Sequence, residues 1–320
     1  MILYQGEKTM GLKAFLDKAL DRPRNGDKVE YFGEVKKKCN GYVLSSATTQ
    51  PAASYHYDLD ITKMWKEYQA LKAECGYSLS FNTIIVKSMV ESLKVAPRLN
   101  AHIDFKPFSI SGRLIVKEHM NIAMPVLLDS GETFPVNILC AETMNLKELQ
   151  ENITDLVTRM KTTDINRTYT DLTLIRGIAM MLSSQMPRAV AMTVKGAFGK
   201  SKMGKISELF GRPPKEENAL TIDHIREGTV CFSNYGTLRL DGHSCHAPLL
   251  YPQVFMMGVG KICDEEFVFR NSKGEIDLGT RKLMPVTLTF DHRIGALNDV
   301  VPFMEKLEEI FKNPEIIKAW

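Results

Sequence analysis

The chain has 320 residues, 44% hydrophobic and 25% charged, which suits a soluble globular protein built as one large domain or two small ones. A formal net charge of +3, with no Arg-rich patch interleaved with aromatics, argues against a nucleic-acid partner. Six scattered cysteines without a Cys-x-x-Cys pair read as free thiols of a reducing compartment. With no signal-peptide pattern and no apolar run of about 18 residues, the expected location is cytoplasmic, with no membrane span.

Residues 1–50 are expected to form an N-terminal arm. Leu12, Phe15, Leu16, Ala19 and Leu20 recur at helical spacing until residues 21–26 break the helix. So short an amphipathic helix has to dock on the main body or on a neighbouring subunit. A main domain follows over 51–320. Tyr55–Asp60 alternates as a strand, and Asp60 caps a helix carrying Met64, Trp65, Tyr68 and Leu71. Ser80 or Asn82 opens the next helix, which stops at Pro97. Strands are expected at Leu99–Phe105, Phe108–Lys117 and Asn121–Leu128, the last forming a hairpin with Phe134–Cys140. Asn145 starts a long helix through Met160.

Residues 164–228 differ in character. Leu172–Leu182 and Ala189–Val194 are apolar and Met-rich, and a basic stretch through Lys195, Lys200, Lys202 and Lys205 follows. Strands return at Thr229–Asn234, Val254–Ile262, Phe267–Arg270 and Pro285–Phe290, with Lys273-Gly274 as a hairpin tip, and a last helix spans Asn298–Lys312. Helices and strands alternate without a Gly-rich phosphate loop, which implies a mixed sheet packed by helices and not a dinucleotide-binding domain.

The densest chemistry is Phe290-Asp291-His292-Arg293, where a strand ends in three polar residues. Histidine is the side chain best matched to proton transfer near neutral pH, and a strand end can aim it into a cleft. On spacing alone such a triplet is more often an ion-paired loop. His243-Ser244-Cys245-His246 lacks a second ligand cluster, so no metal site is expected. Trp65 and Trp320 read as packing residues.

Several ordered blocks resemble the catalytic domain of the dihydrolipoamide acyltransferases, the 2-oxoacid dehydrogenase acyltransferase family of the chloramphenicol-acetyltransferase-like superfamily. Phe290–Arg293, then Phe303, Leu307 and Asn313-Pro314-Glu315, match its signature in register. Gly228-Thr229-Val230-Cys231-Phe232-Ser233-Asn234-Tyr235-Gly236 resembles its Gly-Thr-Phe-x-Ile-Ser-Asn-x-Gly strand. Tyr251–Lys261, Lys94–Asp104 and Asn121–Val136 match further blocks.

The resemblance implies a two-layer α/β (α+β) sandwich, its mixed β-sheet packed by helices and its active site at a trimer interface. His292 would be the general base and Ser233 the oxyanion donor, from different subunits, with Asp291, Arg293 and Asn234 in support. His243 and His246 would line the substrate channel. Coenzyme A is the implied co-substrate, acting with a small-molecule or carrier acceptor in a homotrimer or multiple of trimers. 2-Oxoacid dehydrogenase subunits are the implied protein partners.

Three departures stand out. Ala296 and Leu297 replace the family's Asp or Asn and the Gly after it. Residues 1–50 hold neither a lipoyl-domain nor a subunit-binding pattern, so a standalone form using a lipoyl group only in trans is expected. The helical, Met-rich and basic stretch at about 164–228 is an insertion. An active transferase and a trimeric scaffold or acyl-CoA-binding protein with impaired chemistry are both compatible with these features.

Overall fold

The computed structural model describes residues 11–20, 23, 26–31, 51–106, 110–127, 133–182, 218–238, 249–270 and 273–320. They fall into two compact units, Met1–Gly26 with Arg159–Arg226, and Asp27–Thr158 with Glu227–Trp320. Among the described residues no helix is long and apolar enough to cross a membrane.

The first unit is helical. Helix α1 (Leu12–Ala19) packs on α5 (Ile165–Met181), which also contacts the single turn α6 (Ile222–Ile225). Leu16, Met160, Leu172, Ala179, Leu220 and Ile225 are buried there. The chain before α6 is tied down by backbone bonds: Arg159 Nε donates to the Asn218 carbonyl at 2.8 Å, and Leu220 N–H donates to Thr163 Oγ1 at 2.9 Å. The expected apolar segment at Ala189–Val194 and the lysines that follow it lie outside the described residues.

The second unit holds two sheets. Strand β1 (Lys28–Tyr31) pairs with β4 (Ser111–Val116), which pairs with β3 (Ala101–Lys106), all antiparallel. The sequence reading placed no strand at 28–31, because four mostly exposed residues carry no alternation of their own; the edge of β4 supplies the pairing. The larger sheet runs in the order β2 (Ala52–Asp60), β10 (Ile276–Asp291), β8 (Phe255–Val259), β7 (Val230–Asn234), β5 (Ile122–Leu127), β6 (Thr133–Ile138). Strand β9 (Cys263–Arg270) pairs with the outer half of β10. The β5–β7 and β7–β8 pairs are parallel and the others antiparallel, so the sheet is mixed, as expected.

Local chemistry sets the element ends. Asp60 Oδ1 accepts the Thr62 N–H at 2.9 Å at the start of α2 (Thr62–Glu74), and Ser80 caps α3 (Phe81–Val95) through the Thr83 N–H. Asn145 and Glu148 form a reciprocal capping box on α4 (Leu146–Thr162), each accepting the other's N–H at 2.9 Å. The last α-helix, α7, starts at Val301 and runs to Lys312, three residues later than expected, because Leu297–Asp299 forms a separate 3-10 turn. Strands β9 and β10 are longer than their apolar runs suggested. Cross-strand pairs such as Lys282–Asp264 and Arg281–Glu265 extend the hairpin past the core.

Side chains of β10 alternate between two environments. Phe290 pairs with Phe255 on β8, and Phe255 meets Phe303 of α7 edge-on at 4.9 Å, which makes this the helix-covered face. Helix α3 packs beside α7, and Trp65 and Tyr68 of α2 both touch Phe81. The opposite face is polar at β10: Thr289 bonds Ser54 at 3.0 Å, and Thr287 bonds His56 at 2.9 Å and Tyr235 at 3.0 Å. On that face Cys231 sits in an apolar cluster with Ala123, Leu249 and Met256.

Burial pushes the Cys231 thiol from 9.0 up to about 12. The unfolded chain therefore loses this proton first, and the stability the group contributes below 9.0 is lost as pH rises toward about 12. Denaturant titrations of the wild type and Cys231→Ala across that window should show the wild type's advantage shrinking. A pH-independent difference would contradict the burial.

Candidate active site

Strand β10 ends at Asp291, one residue before His292. Asp291 is fully buried and Arg293 is 3% exposed, and the two bind each other side-on. Arg293 Nε donates to Asp291 Oδ1 at 2.9 Å and Nη2 donates to Oδ2, while the Arg293 N–H also reaches Oδ1 at 2.9 Å. The guanidinium lies over the Phe105 ring, 5.1 Å from its centroid. A carboxylate held this way must turn its backbone: Ile294 N–H closes onto the Asp291 carbonyl at 3.0 Å. His292, between the two buried ions, is turned outward and exposed. Its N–H is fixed to the Pro51 carbonyl at 2.8 Å, and its imidazole makes a ring contact with Phe290 but no hydrogen bond among the described residues. The flanking residues thus form the ion pair that the spacing suggested, and the histidine they carry is presented to solvent.

Ser233 lies near the end of β7. The strand's entry is locked, since Gly228 C=O accepts from Gln253 Nε2 at 3.1 Å and contacts His102 Nε2 at 2.7 Å. Its exit is locked as well. Asn234 Nδ2 donates to Asn82 Oδ1 on α3 at 2.6 Å, and a Cβ on Gly236 would stand 2.5 Å from the Gly260 carbonyl, so only glycine permits that backbone approach. The Ser233 hydroxyl is half-buried and makes no hydrogen bond among the described residues.

Strand register separates the two candidates. Ser233 pairs with Gly258 and Gly258 with Thr287, so Ser233 lies two strands from β10 and five residues short of His292. With about 3.4 Å per residue and about 4.8 Å between strands, their Cα atoms are roughly 20 Å apart. Ser233 also shares the polar face of Thr287, whereas His292 lies in the turn beyond the end of β10. One chain cannot bring the two side chains together.

The candidate channel residues His243 and His246 lie outside the described residues. His102 and His56, to which the sequence assigned no constellation, are in use as structural hydrogen-bonding groups. His119, Cys140 and Glu142 place one donor atom each within 4.8 Å of one another. Glu142 is already engaged there by His119 Nδ1 at 2.7 Å and the Met120 N–H at 2.9 Å. An open depression of about 540 Å³ lined by Met144, Glu148, Asn152 and Asp155 includes neither His292 nor Ser233.

Residues 24–172 and 205–318 match the family described as 2-oxoacid dehydrogenases acyltransferase (catalytic domain). The chain belongs to this acyltransferase family. The dihydrolipoyllysine-residue acetyltransferase component of the pyruvate dehydrogenase complex of Staphylococcus epidermidis is 22% identical over 303 residues, 93% of this chain and 53% of that protein. The chain thus spans about half the length of the curated relatives it matches. Two solved structures share its fold. One is a truncated catalytic core of the 2-oxoacid dehydrogenase multienzyme complex from Thermoplasma acidophilum, with TM-score 0.54 and 18% identity, covering 89% of this chain and 97% of that one. The other is Azotobacter vinelandii dihydrolipoamide acetyltransferase, with TM-score 0.55 and 16% identity over 90% and 93%. It was studied for the role of a serine, a histidine and an asparagine, the last four residues after the histidine, in its catalytic mechanism.

Removing one partner of the Asp291–Arg293 pair should strand a buried charge and destabilise the protein by about 3–5 kcal/mol. Denaturant unfolding of Asp291→Ala, Arg293→Leu and the double variant tests this. The double variant is expected to lose clearly less than the sum of the single losses, and additive losses would show that the ions do not depend on each other.

Proposed function

We propose that this acyltransferase moves an acyl group between coenzyme A and a thiol or other small acceptor at a site shared by two copies of the chain. The observation that carries this reading is the presentation of His292: an exposed imidazole without a hydrogen bond among the described residues, held at a rigid strand end by a buried ion pair. Ser233, half-buried, presents a hydroxyl that makes no hydrogen bond among the described residues, roughly 20 Å away in the same chain. In a trimer, His292 of one copy would face Ser233 of the next. The serine and histidine studied in the Azotobacter relative are the same pair of residue types.

In this mechanism His292 takes the proton of the attacking thiol, and the thiolate adds to the thioester carbonyl of the donor. The Ser233 hydroxyl of the adjacent copy donates to the oxyanion of the tetrahedral adduct. Collapse of the adduct breaks the original carbon–sulfur bond, and the leaving thiolate recovers the proton from the imidazolium. Asp291 and Arg293 hold the turn, and Asn234 ties the end of β7 to α3. Exposed Val268, Ile276 and Leu278 on the β9–β10 ribbon support assembly, because a two-stranded ribbon with bare apolar side chains is marginal alone in water. The reading extends to a cytoplasmic homotrimer, with 2-oxoacid dehydrogenase subunits as candidate partners.

Acyl transfer from acetyl-, propionyl- and longer acyl-coenzyme A donors tests the chemistry. His292→Ala should lower kcat by about 10²- to 10⁴-fold, and Ser233→Ala by about 10²- to 10³-fold. Co-refolding the two inactive variants in equal amounts should restore activity in about a quarter of all sites, roughly one site in each mixed trimer, since each variant supplies what its neighbour lacks. No recovery on mixing would reject the shared site, and full turnover by His292→Ala would reject the mechanism.

A further inference from the structure

The relative's asparagine four residues after its histidine has no polar counterpart at that spacing here, since the fourth residue after His292 is Ala296. The turn is nevertheless held by polar contacts. Asp299, to which the sequence reading gave no role in the site, folds its carboxylate back over Gly295, and Oδ2 accepts the Ala296 N–H at 3.0 Å. Its Oδ1 lies 3.3 Å from Arg98 Nη1. Arg98 Nη2 in turn donates to the Ile294 carbonyl at 3.0 Å. One guanidinium therefore grips both the start and the end of the segment Ile294–Asp299, from an anchor in the 3-10 turn Pro97–Leu99 that follows α3.

The backbone is shaped to admit this contact. A Cβ on Gly295 would overlap the Asp299 carboxylate, so a residue other than glycine would expel it. On the other side of His292 the turn is fixed by Asp291 and Arg293. Between these two restraints the histidine backbone has little freedom to shift.

We infer that Asp299 is a positioning residue of the His292 site, supplying from three residues further along the chain the polar anchor that Ala296 lacks. The inference rests on the reading of His292 as the catalytic base. Its effect is geometric: Arg98 and Asp299 are 38% and 24% exposed, so the charge attraction itself is screened. Misplacement of a catalytic group by about 1 Å costs up to about 100-fold in rate, which is the scale available to such a clamp. Arg98 also approaches Glu30 at 3.5 Å, so it keeps a carboxylate neighbour when Asp299 is removed.

The test uses the assembled protein, with acyl-transfer kinetics and amide hydrogen exchange for Asp299→Ala, Asp299→Asn and Gly295→Ala, and His292→Ala as reference. Asp299→Ala and Gly295→Ala should each lower kcat by about 10- to 100-fold while KM for acyl-coenzyme A stays within about twofold. Asp299→Asn should recover most of kcat, because its side-chain oxygen still accepts the Ala296 N–H. Exchange of the Ala296 amide should accelerate in the first two variants and not in the third. Wild-type kcat in Asp299→Ala, a loss that Asp299→Asn fails to recover, or a loss that follows dissociation of the assembly each overturns the inference. If His292→Ala keeps full turnover, the catalytic reading is what fails. The Ala296 exchange rate then decides the clamp alone, and no acceleration in Asp299→Ala overturns it.

Discussion

A carboxylate and a guanidinium removed from water together have to satisfy each other, and that requirement shapes the end of β10. Asp291 is fully buried, so its charge must be met within reach, and Arg293 meets it from two residues away. That spacing forces the chain out of the extended form immediately after the strand. The residue between the two ions cannot follow either of them inward, and His292 is left facing solvent. The ion pair is worth less as a source of stability than as a device of position, since burying both ions costs nearly what their attraction returns.

The long central strand connects this device to the rest of the molecule. Strand β10 pairs along its inner half with β2 and β8, and along its outer half with β9. Its helix-covered face is apolar because Phe303 and its neighbours on α7 pack there. Its other face is polar because Thr287 and Thr289 satisfy each other's surroundings through Ser54, His56 and Tyr235. Ser233 belongs to this second face, and His292 lies in the turn beyond the strand's end. The same register that makes the sheet rigid keeps the two apart within one chain, which is the geometric reason for proposing a site completed by a second copy.

Much of this was legible in the chain itself. The caps at Asp60, Ser80 and Asn145 were readable because each acts on backbone groups two or three residues away. The strands around Ser233 and before His292 were readable from short apolar runs bounded by glycine and polar residues. Other features were not readable. Lys28–Tyr31 has no strand pattern of its own and is extended because β4 offers it an edge. His102 looked ordinary, yet it contacts the Gly228 carbonyl 126 residues away. Arg98 and Asp299 are likewise separated by 201 residues, so no local pattern could join them.

The amino-acid sequence by itself determined the family, the alternation of elements and the candidate base and oxyanion donor, because those depend on local propensity and ordered motifs. Only the tertiary structure decided which polar groups are engaged and which are available. Burial and strand register are properties of contacts between distant segments. They pair Asp291 with Arg293, leave His292 exposed between them, set Ser233 two strands away, and bring Asp299 to the turn where the Ala296 side chain has no polar group to offer.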